Sequence, residues 1–558
     1  MTRDLKTRNL PEAADGRAFS RKLWMARFLA VSVPLVFWSV FLLYRWESGW
    51  HFTSDSVAYI QCARNILRCR GIKIFDYRWG TPNREVNMSL WPPGYPFLIA
   101  ALSASGVSDV VAARVISALG FTAALIVCLL VISKHLSPFL TLMLGIGLVS
   151  IATCQIYATK ALSEGAFVAC VLVSTLLLTY FPPRNRTLDT LMAFGAGLFG
   201  GLAVSVRYAG LSFVAASVLF LAFSTILHKK LSTAIAWFLG LLTGCGWLFA
   251  YNLATFGRFI PYDMPPSTLG PLDNMQDALR ALVGTMTPLF YAAKRRPWIA
   301  ILTSLLLMIA SCLLASKKQR WLVVQQNSYG LGRLGLFSLL FLSLYFVELV
   351  VARTKYEWGE VINSRHIAPV AWLIVLAFMA VIVSLAQMQK SAFALRIGVT
   401  FCCLLWPTQA FIHSSLAVMR DCEFGIESVL IQEAKRVAAV CPAGTVLADG
   451  RSRIYLSIFA RRQVKYAPRV SRGEKTVTWD EVLEGVKSHT ISCIVASELA
   501  RDDIAKGNYG PVFQSILREE NIPPGWAVEK YGAFRVLLPI NPVSQILDSS
   551  AESEALNN

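Results

Sequence analysis

The sequence predicts a polytopic α-helical membrane protein with a small α/β domain at its C-terminal end. Three observations lead there. Of 558 residues, 55% are hydrophobic and only 16% are charged, with a mean hydropathy of +0.52; an ordinary soluble chain carries about 25% charged residues. Apolar runs of the length that crosses a bilayer core recur along the chain. After His413 the pattern changes to short apolar runs set between polar segments, as in strands and amphipathic helices.

About eleven spans are expected, near 28–44, 110–133, 138–157, 163–181, 190–207, 208–227, 232–253, 297–315, 334–351, 366–386 and 395–413. Arg21, Lys22 and Arg27 precede the first, and no small-residue cleavage site follows it, so it reads as a retained helix rather than a signal peptide. The run 190–227 must be two spans. As one helix it would measure about 57 Å against a core of about 30 Å. The break is expected at Arg207-Tyr208-Ala209-Gly210.

Loop charges set the orientation through the positive-inside rule. Lys134, Arg184, Arg186, Lys229, Lys230, Lys317, Lys318, Arg320, Lys390 and Arg396 fall in loops assigned to the cytoplasmic side. The N-terminus is then cytoplasmic and the C-terminal domain extracytoplasmic. Lys294-Arg295-Arg296 conflicts with this order, and a short or re-entrant helix near 279–293 would resolve it. The chain divides into a cytoplasmic tail (1–27), a transmembrane domain (28–413) with a large first outer loop (45–109), an extracytoplasmic α/β domain (414–548) and a disordered polar end (549–558). In the α/β domain, 445–448, 491–495 and 534–538 read as strands and 480–487 as a helix.

The net charge of +19 is explained by these loops. No basic stripe with interleaved aromatics points to nucleic acid, and there is no internal repeat. None of the 12 cysteines forms a CxxC pair. Cys128, Cys154, Cys170, Cys245, Cys402 and Cys403 lie in apolar runs and act as small hydrophobes. Cys62 and Cys69 share the outer loop, and Cys422, Cys441 and Cys493 the tail, with pairing left open. There is no P-loop, no GxGxxG after a strand, no HExxH and no Asp-x-Asp pair.

The first outer loop holds the main candidates. Val57, Ile60, Ala63, Ile66 and Leu67 recur at helical spacing, which predicts a helix along the membrane surface with Asp55 at its N-terminus. Asp55 is there either a helix cap or a general base. Trp91-Pro92-Pro93-Gly94-Tyr95-Pro96 makes a helix entry, with Trp91 and Tyr95 as interfacial anchors or as a sugar platform. Glu164, near Lys160, stands before an apolar run. Arg207, set between two such runs, needs water or an anionic partner such as phosphate. Arg365 and His366 enter a late span. Asp263, Asp273, Glu357 and Glu360 read as solvated outer acids.

In this order the residues resemble the C-type-fold (GT-C) glycosyltransferases, notably the protein O-mannosyltransferase and aminoarabinose-transferase branch. The resemblance rests on Asp55-Ser56-x-x-Tyr59, Asn65-Ile66-Leu67-x-x-x-Gly71, Pro92–Pro96, 112–119, Leu162-Ser163-Glu164, Val206-Arg207-Tyr208, Ser364-Arg365-His366 with Pro369, and the tail strands. It covers almost the whole chain through individually weak motifs. It implies an inverting transfer of sugar from a polyprenyl-phosphate carrier to a lipid, glycan or protein hydroxyl, outside a bacterial inner or plasma membrane. By the same resemblance Asp55 is the base and Glu164 the second acid. Arg365, with Arg207 or Lys160, meets the donor phosphate, and Tyr59, Trp91, Tyr95 and His366 contact substrate. Many relatives carry Asp-Glu where this chain has Asp55-Ser56. No cofactor is therefore expected, although a divalent cation stays open. The alternatives are a transporter or lipid-sugar flippase, whose two similar halves are not visible here, and a non-catalytic assembly partner.

Overall fold

The structure is a computed structural model that describes residues 12–48, 51–180, 186–228, 231–262, 264–286, 329–357, 361–388, 406–412, 414–415, 426–468 and 475–540. The chain opens with helix α1 (Glu12–Glu47) and the outer-loop helix α2 (Ser54–Leu67), followed by a small hairpin of β1 (Lys73–Phe75) and β2 (Glu85–Asn87). Then come α3 (Gly94–Ala104), α4 (Asp109–His135), α5 (Pro138–Val149), α6 (Ala152–Thr159), α7 (Glu164–Thr179), α8 (Arg186–Val206), α9 (Gly210–His228) and α10 (Leu231–Phe256). The late part of the bundle holds α11 (Pro271–Met286), α12 (Tyr329–Lys355), the short α13 (Ser364–Ile367) and α14 (Ala371–Met388).

The protein is an integral membrane protein. Within α1, α4, α8, α10 and α12 are five segments long and apolar enough to cross a bilayer, and α5 with α6 makes a sixth if the bent pair is one span. The described residues thus reach five or six long crossings where the apolar runs suggested about eleven. The expected spans 163–181 and 366–386 contain shorter apolar helices, 297–315 lies outside the described residues, and most of 395–413 does too. The expected span 138–157 is broken. α5 and α6 meet at 56° around Ser150 and Ile151. The Gln155 amide donates to the Val149 carbonyl at 2.7 Å, which satisfies backbone that the break would leave bare inside the bundle.

Between Val206 and Gly210 the chain turns from α8 into α9, where Arg207 interrupts the apolar run. Close packing of these helices depends on absent side chains. A Cβ on Gly197 would fall 1.9 Å from the Trp237 carbonyl oxygen, so only glycine lets α8 and α10 approach this closely.

The C-terminal domain comprises α15 (Ile426–Val440), β3 (Val446–Ala448), α16 (Gly450–Ile458), β4 (Val464–Tyr466), α17 (Trp479–Lys487), β5 (Cys493–Ser497), α18 (Arg501–Ala505), α19 (Pro511–Arg518), β6 (Trp526–Tyr531) and β7 (Phe534–Pro539). Its five-stranded sheet has the order β4-β3-β5-β7-β6, with the first three strands parallel and the rest antiparallel. β3 and β5 are buried along their whole length, as continuous apolar strands covered on both faces should be. Leu447, Ile494 and Leu537 pack with Val482, Phe513 and Ile516 in one core. A disulfide joins Cys441, just after α15, to Cys493 on β5.

Candidate active site

The site starts at α2. Thr53 is its N-cap: the Thr53 hydroxyl accepts from the Ser56 amide at 3.4 Å, and the Ser56 hydroxyl accepts from the Thr53 amide at 3.0 Å. This reciprocal cap serves the open amides of the first turn. The Ser56 hydroxyl also donates to the Ala161 carbonyl at 2.9 Å, tying α2 to the segment before α7. Asp55 is therefore not the cap. Its carboxylate accepts from Nη2 of Arg365.

Glu164 opens α7 and its side chain is 0% exposed. It can sit there because α7 crosses α4 without a side chain in the way; a Cβ on Gly165 would fall 2.1 Å from the Ser117 carbonyl oxygen. A buried carboxylate needs charged donors, and two converge on one oxygen. Arg207 Nη1 and Arg365 Nε both lie 2.8 Å from Oε1. Among the described residues Oε2 has no hydrogen-bond partner. Arg207 Nη1 also donates to the Ser163 hydroxyl at 3.3 Å, and the Tyr59 hydroxyl lies 3.2 Å from that same oxygen.

Arg365 is aimed by its own short helix. Asn363 caps α13, accepting the Arg365 amide at 3.0 Å, while its own amide donates to Nδ1 of His366 at 3.2 Å. The Tyr345 hydroxyl donates to the His366 carbonyl at 2.7 Å. The result is a chain of alternating charge, Asp55–Arg365–Glu164–Arg207. Two carboxylates balance two guanidiniums. Asp55 and Arg365 are 17% and 15% exposed, so this edge of the network meets solvent while Glu164 backs it from inside. Burial first, then the Asp55 charge, pushes the Tyr59 hydroxyl well above its ordinary range, so it stays a neutral phenol.

The sequence matches no family model and no curated protein. Among solved structures, the Archaeoglobus fulgidus oligosaccharyltransferase in complex with Zn and sulfate is similar over 91% of this chain and 73% of its own, at 12% identity and a TM-score of 0.51. The fold is that of the GT-C membrane glycosyltransferases. ArnT from Cupriavidus metallidurans in the apo state aligns over 93% of this chain and 98% of its own, at 13% identity and a TM-score of 0.49. The same ArnT bound to undecaprenyl phosphate aligns over 91% and 97%, at 13% identity and a TM-score of 0.48.

On this GT-C fold the remaining candidates take different places. Lys160 lies over the Tyr157 ring, 5.0 Å from its centroid, on the side of His51 and Glu427. Trp91 and Tyr95 set their rings edge-on to Tyr59, at 6.0 and 5.0 Å between centroids. Tyr95 has no exposed surface and its hydroxyl donates to the Ala113 carbonyl at 2.6 Å. Its ring thus packs behind that of Tyr59. His366 is buried and its Nδ1 takes part in the α13 cap. Of the outer acids, Asp273 accepts the Gly270 amide at 3.2 Å and Glu357 pairs with Arg353 at 3.0 Å, while Asp263 and Glu360 lie outside the described residues.

Ser163 joins Arg207 to Tyr59, a role that the Leu162-Ser163-Glu164 motif does not reveal. Tyr262, which no sequence pattern marks, lies edge-on to Tyr356 at 5.0 Å and within electrostatic reach of Asp55. Only the position of Ser163 beside Glu164 hinted at a role. Glu348 lies inside the apolar run of α12, and its carboxylate accepts the Ser212 amide at 3.1 Å in the first turn of α9.

Proposed function

We propose that this protein transfers a sugar from a polyprenyl-phosphate carrier to an acceptor hydroxyl on the extracytoplasmic face, with inversion. The observation that carries this reading is the part-exposed Asp55–Arg365 pair, joined through buried Glu164 to the part-exposed Arg207. Asp55 takes the proton of the acceptor hydroxyl as its oxygen attacks the anomeric carbon. The bond from that carbon to the carrier phosphate breaks, and polyprenyl phosphate leaves with the electron pair. Arg365, supported by Arg207 and with Lys160 as a further cation for the phosphate, balances the charge that grows on the departing group. Glu164 holds both guanidiniums in place.

The outer placement is supported by the charge bias of the loops and by the Cys441–Cys493 disulfide, which suits an oxidising compartment. The sugar is hexosyl or pentosyl, and the acceptor a lipid, glycan or protein. A carrier in the bilayer delivers sugar and phosphate together to the outer leaflet, where no nucleotide sugar is made. The residues between the two carboxylates do not fit a metal ion. Arg365 occupies that position, and the Ser56 hydroxyl donates to the Ala161 carbonyl.

The test is purified protein in detergent, given labelled sugar on either donor class with lipid, glycan and peptide acceptors. Transfer from the polyprenyl-phosphate sugar and none from the nucleotide sugar is expected, with a chelator changing the rate little. Transfer from the nucleotide sugar alone would overturn the proposal.

A further inference from the structure

We infer that the C-terminal domain grips the Asp55 helix at both ends and so sets the position of the proposed base, with Glu427 and Lys465 as positioning residues. The catalytic part of this inference rests on the function proposed above; the grip itself does not.

At the leading end, the contact is made just before α2. The His51 amide donates to Glu427 Oε1 at 3.2 Å, and its ring Nε2 lies 3.7 Å from Oε2. The Phe52 ring packs edge-on against Phe459 at 5.1 Å. His51 also accepts the Ala161 amide on its carbonyl at 3.0 Å. Glu427 therefore bears on the one strip of backbone that leads to Asp55 on one side and to Glu164 on the other.

At the trailing end, Arg64 on α2 donates to the carbonyls of Ser457 and Ile458, at 3.3 and 2.8 Å, while paired with Asp109. Those carbonyls end α16, where the helix dipole favours a cation. Beyond α2, the Asn65 amide donates to the Lys73 carbonyl at 3.0 Å, which fixes β1 to the helix. The chain then runs from β1 into the loop 76–82, and Lys465 holds that loop. Its ammonium meets four oxygens: Asp76 O at 2.8 Å, Thr81 Oγ1 at 2.9 Å, Thr81 O at 3.0 Å and Pro82 O at 3.1 Å. Lys465 is only 2% exposed. The Tyr466 amide donates to the Tyr77 carbonyl at 2.7 Å, and Arg78 bridges Tyr466 in parallel, so the loop extends the sheet past the edge of β4. Arg453 lies over the Tyr77 ring at 4.0 Å.

An independent module on a tether would not bury a lysine among a neighbour's carbonyls. In this contact the ammonium has exchanged water for three carbonyls and one hydroxyl of the loop. A general base tolerates little displacement; about 1 Å costs on the order of a hundredfold in rate.

The experiment uses the full chain in nanodiscs and reads amide hydrogen exchange together with sugar transfer. Lys465→Met keeps the length of the side chain and removes the cation. We expect faster exchange at 73–87 and across α2, and a rate lowered by about 10- to 100-fold. Affinity for polyprenyl phosphate should stay near wild type, because Arg365 and Arg207 are untouched. A tether then separates position from general damage. The Asn83 amide reaches the Thr490 carbonyl at 2.7 Å, so Asn83→Cys with Thr490→Cys in the Lys465→Met background should form a disulfide. That bond should restore slow exchange and rate, and reductant should remove the rescue, with wild type and Lys465→Met alone as reductant controls. Should Lys465→Met fail to insert, Glu427→Gln probes the leading end more gently with the same readouts. Unchanged exchange across α2, or a formed tether that restores neither exchange nor rate, overturns the inference. A wild-type protein that transfers no sugar from any donor sinks the functional proposal instead, and α2 exchange still decides the grip.

Discussion

Asp55 stands in the first turn of α2, yet Thr53 and Ser56 serve the open amides there and the Asp55 carboxylate reaches across to Arg365. A base and a cap make different demands on this side chain. Asp55→Asn keeps the size and removes the basicity. Insertion should be normal and the transfer rate should fall by about two to four orders of magnitude. Turnover near wild type would leave Asp55 as a partner of Arg365 and nothing more. Arg365 spans two carboxylates with one planar fork, Nε to Glu164 and Nη2 to Asp55. Lysine has charge without the fork. Arg365→Lys should keep part of the donor use that Arg365→Ala loses; equal, wild-type activity in both would remove the arginine from the site. Arg207 was legible as a candidate because a charge between two apolar runs needs a reason, Asp55 because it heads a predicted surface helix, and Glu164 and Arg365 through the resemblance. That they form one chain of charge was not legible, since the Arg365 contacts reach over 310 and 201 residues of sequence.

Helices α4 and α7 meet where glycine permits it, and Glu164 rides on that meeting. Gly165→Ala would push a Cβ into the Ser117 carbonyl, which backbone cannot readily yield. Such overpacking costs about 1–3 kcal/mol. The expected result is a lower melting temperature together with reduced transfer. Gly246→Ala on α10 is the control, since its nearest neighbour would be 3.9 Å away; equal melting temperatures in both variants would refute the crossing argument. Helix α15 meets the outer loop through Glu427 and His51, and pH reads that contact. Burial first, then Arg114, Lys160 and Arg45, pushes His51 down to about 3. Burial lifts Glu427 to about 7, against the His51 amide, Arg114, Tyr455 and Lys160, which pull it down. The signs oppose. The unfolded chain takes up the His51 proton, so that contribution to stability grows as pH rises from about 3 to about 6.5. The folded chain keeps the Glu427 proton longer, so its contribution shrinks from about 4.5 to about 7 and then levels. Glu427→Gln removes the second effect alone. The melting temperature of wild type minus that of the variant should therefore fall between pH 4.5 and pH 7, and a constant difference would disprove the raised carboxyl.

Across the whole molecule, orientation decides whether this site faces the proposed donor. Asn521 in the C-terminal domain and Thr187 at the start of α8 are both exposed. In a background without other reactive cysteines, Asn521→Cys should react with an impermeant thiol reagent from outside and Thr187→Cys should not. Labelling of Thr187→Cys alone would invert the orientation and place the site in the cytoplasm. By itself the sequence determined that the chain is a membrane protein, that the 190–227 run needs two helices, and that strands follow His413. These are local properties: the length of an apolar run and the period of a pattern are set by neighbours along the chain. Only the tertiary structure decided that α5 and α6 bend apart, that Arg365 joins Asp55 to Glu164, and that Lys465 closes over the first outer loop. A bend reflects the packing around it, and an ion pair depends on where two distant backbones come to rest. The folded path of the chain determines those places, and no local pattern of residues encodes them.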